Sequence, residues 1–321
     1  MTGPVHATVG RIAGVCSPDP LPVLGGPAEG VALYVGADAQ NVQRRRLNLT
    51  GRRCFSGAYG PKSRFTPEEA AQVIGILDSG AFSDAPADRL DPAAALERQL
   101  RWERDAQRFW RYPWRAEALV SYDLLIDEKW HHNQRRKDRW SVAEAERAVR
   151  ITVEAAAYLA SRRGQLAPRR LCLACQGVDH RQYAECAAGV LRHATPGDWI
   201  GLGGWCILGW WRSWLPEFWR TCRLVLPLVA EAGISRLHLF GVMYPPVLGG
   251  LLWLADRHGL TVSTDSSGPV LQPSWPDAKK AGALADTWEA NVAHWQRLLA
   301  GLRGSAHYRE PPVDRQRVLF V

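Results

Sequence analysis

The sequence predicts an α/β protein built as a (β/α)8 barrel of the TIM type. Three observations point there. Apolar strand-like runs alternate with helical segments six or more times, 321 residues suit one such barrel, and polar residues recur where strands end. An open parallel sheet is the alternative architecture with the same alternation. One domain is expected. Residues 1–30 form an irregular entry segment rich in Pro and Gly, and residues 31–321 form the barrel with basic and Trp-rich insertions and a C-terminal helix.

Taken in order, Val31 to Val35 (VALYV) is a short buried strand. The stretch NVQRRRLNLTGRR, with five arginines in thirteen residues, reads as a loop or helix edge, either solvated or in contact with phosphate. Thr66-Pro67-Glu68-Glu69 starts a helix, with an N-cap Thr, Pro at the first helical position and acids in the first turn. That helix gives way by Gly75 to a strand ending in Asp78 and a glycine turn. Asp91-Pro92 opens the next helix, which carries an apolar stripe among many arginines.

Ala118 to Ile126 reads as a strand delivering Asp127 and Glu128, followed by a loop dense in cations and aromatics that includes Arg135, Arg136 and Lys137. Ser141 to Glu144 is a capping box for a helix reaching Arg162 or Arg163. The strand Arg170 to Ala174 leads into Cys175-Gln176-Gly177, a helix spans about Arg181 to Arg192, and Asp198 to Gly204 is a strand ending in glycines. Trp205 to Trp219 is a Trp-rich connection containing Arg212, and it enters a helix from Arg220 to Ala232.

The clearest βαβ unit follows. It has a strand Leu237 to Val242, a helix Pro246 to Arg257 stopped by Gly259, and a strand Leu260 to Ser263 running into Asp265. A helix from about Ala285 to Leu302 and a closing strand at Val318 to Val321 complete the expected order.

No segment approaches ~18 uninterrupted apolar residues, so no membrane association is expected and the expected location is the cytoplasm. Seven scattered cysteines suit reduced thiols, and the one close pair, Cys172 and Cys175, lacks the second pair that a zinc site needs. A net charge of +8 suits a polyanionic partner. Of the fifteen tryptophans many lie beside arginine, and they read first as core and second as stacking surfaces for bases.

Collected by strand end, the polar groups are Asp78, Asp127, Gln176, Gly203 with Gly204, and Asp265. No HExxH, phosphate loop or dinucleotide fingerprint accompanies them. Both D-S-G-A-F at Asp78 to Phe82 and Y-D-L-L-I-D-E at Tyr122 to Glu128 belong to a recognisable series. It continues with Q-G at Gln176, I-G-L-G-G ending at Gly204, F-G-V at Phe240 to Val242, and the acid at Asp265. Over roughly residues 75 to 267 this order resembles the guanine transglycosylases, and most closely the branch that places 7-deazaguanines in DNA.

The resemblance implies exchange of guanine in a polynucleotide for a 7-deazaguanine such as preQ0, without a cofactor and with DNA as partner. Accessory DNA-modification proteins are possible further partners on the same ground. It makes Asp265 the nucleophile and Asp78 the general acid/base. Asp127, Gln176, Gly203 and Gly204 would read the base, and Phe82 and Phe240 would sandwich it. Such an enzyme must extract a nucleotide from its stack, which directs attention to Arg135, Arg136, Lys137 and Arg212 as phosphate grips. No cysteine follows Cys222, so the zinc module of the tRNA enzymes has no ligands here. The alternatives are a tRNA-guanine transglycosylase and a non-catalytic nucleic-acid-binding homologue.

Overall fold

The computed structural model describes residues 30–36, 51–55, 65–81, 91–126, 140–206, 212–266 and 288–312. Within them eight parallel strands close in sequence order into a barrel, β1-β2-β3-β4-β5-β6-β7-β8. The expected (β/α)8 fold is the observed one. The strands are β1 Val31–Gly36, β2 Gly51–Phe55, β3 Val73–Leu77, β4 Ala118–Val120, β5 Arg170–Cys175, β6 Trp199–Leu202, β7 Arg236–Leu239 and β8 Thr261–Ser266. Pairing of β1 with β8, with Tyr34 opposite Asp265, closes the ring.

The helices are α1 Pro67–Ala70, α2 Pro92–Trp110, α3 Val142–Ser161, α4 Arg163–Leu166, α5 His180–Leu191, α6 Leu215–Glu231, α7 Pro245–Asp256 and α8 Trp288–Ala300. The starts of α1, α2 and α3 follow the capping signals in the sequence. Thr66 and Ser141 each form a reciprocal capping box, and the Asp91 side chain accepts from the N–H groups of Ala93 and Ala94.

Two packed regions follow from the period of two along each strand. Outward residues such as Leu171, Leu173, Leu237 and Leu239 join the helices in the main core. Inward residues fill the barrel: Tyr34, Cys54, Ile76, Val120, Cys172 and Trp199 form a second cluster, with Phe240 packed against it. Cys172 belongs to the inner cluster and Cys175 to the outer core, so the close cysteine pair sits on opposite faces of the sheet. Trp102, Trp110, Trp114, Trp199, Trp205 and Trp219 are all buried, the packing role expected first.

Several boundaries differ from expectation. Gly51–Phe55, within the arginine-rich stretch read as a loop, is a barrel strand, and Arg53 lies buried with its guanidinium beside the rings of Phe55 and Phe65. The helix at Thr66 is a single turn, and β3 already begins at Val73. The strand expected over Ala118 to Ile126 ends at Val120. There the Ser121 hydroxyl, rather than a backbone carbonyl, accepts the Ala174 N–H at 2.9 Å, and this side chain terminates the ladder.

α6 begins at Leu215, inside the stretch read as a Trp-rich connection, because Pro216 suits a helical first turn. β8 continues through Asp265 to Ser266, so that acid belongs to the strand itself. The expected entry segment and the closing strand at Val318 to Val321 lie outside the described residues.

Candidate active site

Parallel barrels present the C-terminal ends of their strands at one mouth, and the expected polar residues meet there. Asp265 points inward from β8. Its Oδ1 accepts the Gly241 N–H at 3.0 Å and lies 3.1 Å from Nε2 of His238. The turn supplying that N–H is held by the hydroxyl of Thr264, which lies 2.8 Å from the Leu239 carbonyl oxygen and 2.5 Å from that of Val242. Gly241 adopts φ +70°, which glycine tolerates without strain.

Asp78 directly follows β3. Its backbone N–H extends the ladder to the Phe55 carbonyl, and its Oδ1 accepts the Ser79 N–H at 2.8 Å. Burial, then the negative charge of nearby Asp265, raises its carboxyl to about 6 against the lowering effect of the Ser79 and Gly80 amides and Arg98. The Arg98 guanidinium, reaching over from α2, donates to the Ser79 carbonyl and packs against the Trp102 ring. From the same helix the buried Gln99 amide donates to the Leu77 carbonyl at 2.8 Å and the Val120 carbonyl at 2.9 Å, tying the ends of β3 and β4 together.

A third carboxylate completes the cluster. Asp123 is buried three residues beyond the end of β4, and the fully buried Gln176 amide, just past β5, donates to its Oδ2. Burial, reinforced by the charge on Asp78, raises Asp123 to about 7, although Gln176 and Ser79 hydrogen-bond to it. The Oε1 of Gln176 is buried and has no hydrogen-bond partner. Gly203 and Gly204 press on this amide from β6: a Cβ on Gly203 would lie 2.0 Å from Gln176 Nε2, and one on Gly204 would lie 2.4 Å from the Ile126 carbonyl oxygen. The Gly203 N–H is bound to the Cys175 carbonyl at 3.0 Å, and the Tyr183 hydroxyl donates to the Gly203 carbonyl.

Of the residues singled out in the sequence, Asp265, Asp78, Gln176, Gly203, Gly204 and Phe240 therefore share one mouth. Asp127, Phe82, Arg135, Arg136 and Lys137 lie outside the described residues. Arg212 opens a 3-10 turn, Arg212–Trp214, just ahead of α6.

Asp123 is the buried acid that follows β4, which ends at Val120 and not at Ile126; Asp127, the acid chosen from the sequence, lies outside the described residues. His238 was not anticipated. Its signal was a histidine alternating with leucines in Leu237-His238-Leu239, the pattern of an inward-facing strand position. Below the acids the barrel is closed by the rings of Tyr34, Trp199 and His238, none more than 2% exposed. The inner thiols of Cys54 and Cys172 are pushed well up, by burial and then by the carboxylates Asp265 and Asp78.

Fold and site together define a (β/α)8 barrel with three carboxyl groups, one amide and two glycines converging on its C-terminal mouth. Neither the protein-family models nor the curated proteins include a match to this chain. Among the described residues no helix is long and apolar enough to cross a membrane, and no group of three or more His, Cys, Asp or Glu side chains is placed to hold a metal ion.

Proposed function

We propose that this protein is a base-exchange transglycosylase that replaces guanine in a polynucleotide, DNA before tRNA, with a 7-deazaguanine base such as preQ0. The observation that carries this reading is the convergence of Asp265 and Asp78 with the buried Asp123 and Gln176 pair at one mouth.

The chemistry suits these groups. Both described hydrogen bonds to Asp265 end on Oδ1, which leaves Oδ2 as the nucleophile. Oδ2 forms a bond to C1′ as the C1′–N9 bond breaks, and the departing guanine keeps the electron pair and takes a proton. Asp78, with a carboxyl raised to about 6, is suited to supply that proton near neutrality. In the second displacement N9 of the incoming base loses its proton to Asp78 and attacks C1′, and Oδ2 leaves as carboxylate. Two inversions retain the β configuration.

Base reading falls to Asp123 in this scheme. An ionised Asp123 accepts from N1–H and the exocyclic amine of guanine, a bidentate match that adenine lacks. Those two donors favour the charged form of a group that burial otherwise raises to about 7. The second N–H of Gln176 and the Gly204 N–H are the donors available for O6, and Phe240 at the end of β7 offers a ring for stacking.

The test is incorporation of labelled guanine or preQ0 into duplex DNA, single-stranded DNA and tRNA in parallel, with Asp265→Ala as control. Incorporation into DNA that vanishes in the variant supports the reading. Equal incorporation by Asp265→Ala, or exchange confined to tRNA, overturns the nucleophile or the substrate respectively.

A further inference from the structure

We propose that His238 is the positioning residue of this site, holding Asp265 through a Ser263–His238–Asp265 chain that runs down the inside of β7 and β8. The proposal rests on Asp265 being the nucleophile. Its geometry stands on the two contacts of the imidazole, with a second acceptor beside the serine hydroxyl. His238 Nε2 lies 3.1 Å from Asp265 Oδ1, His238 Nδ1 lies 2.9 Å from Ser263 Oγ, and Ser263 Oγ lies 3.2 Å from the Leu237 carbonyl oxygen. The imidazole is fully buried and caged by Tyr34, Trp199 and Phe240, with ring centroids 5.9, 6.2 and 4.8 Å away. Such a cage fixes the ring plane.

The proton positions follow from satisfying each atom. A carboxylate oxygen facing Nε2 requires a hydrogen there, since two lone pairs at that distance repel. With Nε2–H present, a neutral ring has an accepting Nδ1, and among the described residues the hydroxyl paired with it is that of Ser263. Turning that hydroxyl to Nδ1 makes the shorter of its two contacts and gives up its donation to the Leu237 carbonyl. The serine thus selects the tautomer, and the tautomer fixes the carboxylate.

The consequence for the reaction is directional. Nε2–H and the Gly241 N–H both bind Oδ1, so Oδ1 becomes the carbonyl oxygen of the sugar ester while Oδ2 carries the sugar. When the second base arrives, negative charge returns to the carboxylate as the C1′–Oδ2 bond breaks, and the two donors are already aimed at it. His238 therefore assists departure of Asp265 from the sugar more than its attack.

The experiment compares wild type with His238→Phe, which keeps the ring volume without a donor, and His238→Gln, which restores an N–H near the position of Nε2. Steady-state exchange and the fraction of protein trapped as a DNA adduct on denaturing gels are read together, with thermal melts confirming folding. His238→Phe is expected to lower kcat about 100- to 1000-fold, the range for loss of one donor to a developing charge. KM for the polynucleotide should fall along with kcat as the adduct fraction rises, while His238→Gln recovers much of the rate. Wild-type rates in His238→Phe, or equal losses in both variants with an unchanged adduct fraction, overturn the proposal.

A second readout needs no turnover. Long-range proton–nitrogen spectra of histidine-labelled protein are expected to show His238 protonated at Nε2, with its Nδ1 resonance shifted in Ser263→Ala. A ring protonated at Nδ1 alone overturns the proposal. If wild type exchanges no base, the transglycosylase reading fails, and these spectra still decide the role of His238.

Discussion

Gln176 and Asp123 meet fully inside the barrel mouth, amide to carboxylate, although they lie on loops that follow different strands. Replacing Asp123 by Asn keeps the size of the side chain and removes the acceptor pair proposed for guanine. Exchange into DNA by Asp123→Asn is expected to fall at least 100-fold, since a bidentate charged contact and its pairing with two base donors are lost together. Competition with adenine-type bases checks the assignment: discrimination against them should shrink in the variant.

The same carboxyl makes stability depend on pH in an unusual direction. An unfolded aspartate titrates near ~3.9, whereas Asp123 is raised to about 7 and Asp78 to about 6 in the folded protein. Between about pH 4 and pH 7 the folded state therefore holds protons that the unfolded chain has released, and stability falls as pH rises through that window. For Asp123 the loss is roughly 2–4 kcal/mol. Urea unfolding at pH 4.5 and 7.5 should show wild type losing ground to Asp123→Asn. A wild type that gains relative to the variant would contradict the burial argument.

Neighbouring charge is part of that shift. Asp78 is the second cause of the raised Asp123, and Asp265 the second cause of the raised Asp78. Asp78→Asn should lower the titration of Asp123, and Asp265→Asn should lower that of Asp78. Carbon-13 titration of labelled aspartates reads both, and an unmoved Asp123 in Asp78→Asn would place the two groups too far apart to share one base.

Gly203 lies where no side chain fits, because its Cβ would fall 2.0 Å from Gln176 Nε2. Gly203→Ala is expected to displace the amide from Asp123 and to cost about 1–3 kcal/mol of stability through overpacking. Exchange should drop more steeply than folding. A variant with normal activity and normal melting would show that Gln176 moves freely.

Gln99 offers a purely structural test. Its amide donates to the carbonyls of Leu77 and Val120, and Gln99→Leu would remove this buried donor from both oxygens at the ends of the strands that precede Asp78 and Asp123. A loss of about 2–4 kcal/mol in chemical denaturation is expected. Gln99→Glu should be at least as costly, since a carboxylate would face two carbonyls.

The alternation of elements was legible because strand and helix periods differ, and helix starts were legible because Thr66, Asp91 and Ser141 carry the capping chemistry themselves. β2 was hidden. In Gly51–Phe55 the two arginines read as surface, and only the surroundings of Arg53, the rings of Phe55 and Phe65, show why one of them is buried. At β4 the apolar run of the sequence continues past the strand, and the turn away from the sheet depends on a contact between Ser121 and Ala174 across 53 positions. A one-dimensional reading carries no signal for such a contact, so the strand was drawn on to Ile126. His238 was hidden for a related reason: its meaning comes from Asp265 and Ser263 on the neighbouring strand.

The aromatic closure beneath Asp265 has a bearing on the lifetime of the proposed ester. Tyr34, Trp199 and His238 leave the underside of the nucleophile sealed, so anything that reaches C1′ enters from the mouth. Water and the replacement base then approach from the same side. Hydrolysis, which would leave an abasic sugar in the strand, is held back only while a base fills the Asp123 and Gln176 seat. On the proposed function, fidelity of exchange becomes a matter of occupancy: a saturating supply of incoming base would protect the polynucleotide, and scarcity would endanger it.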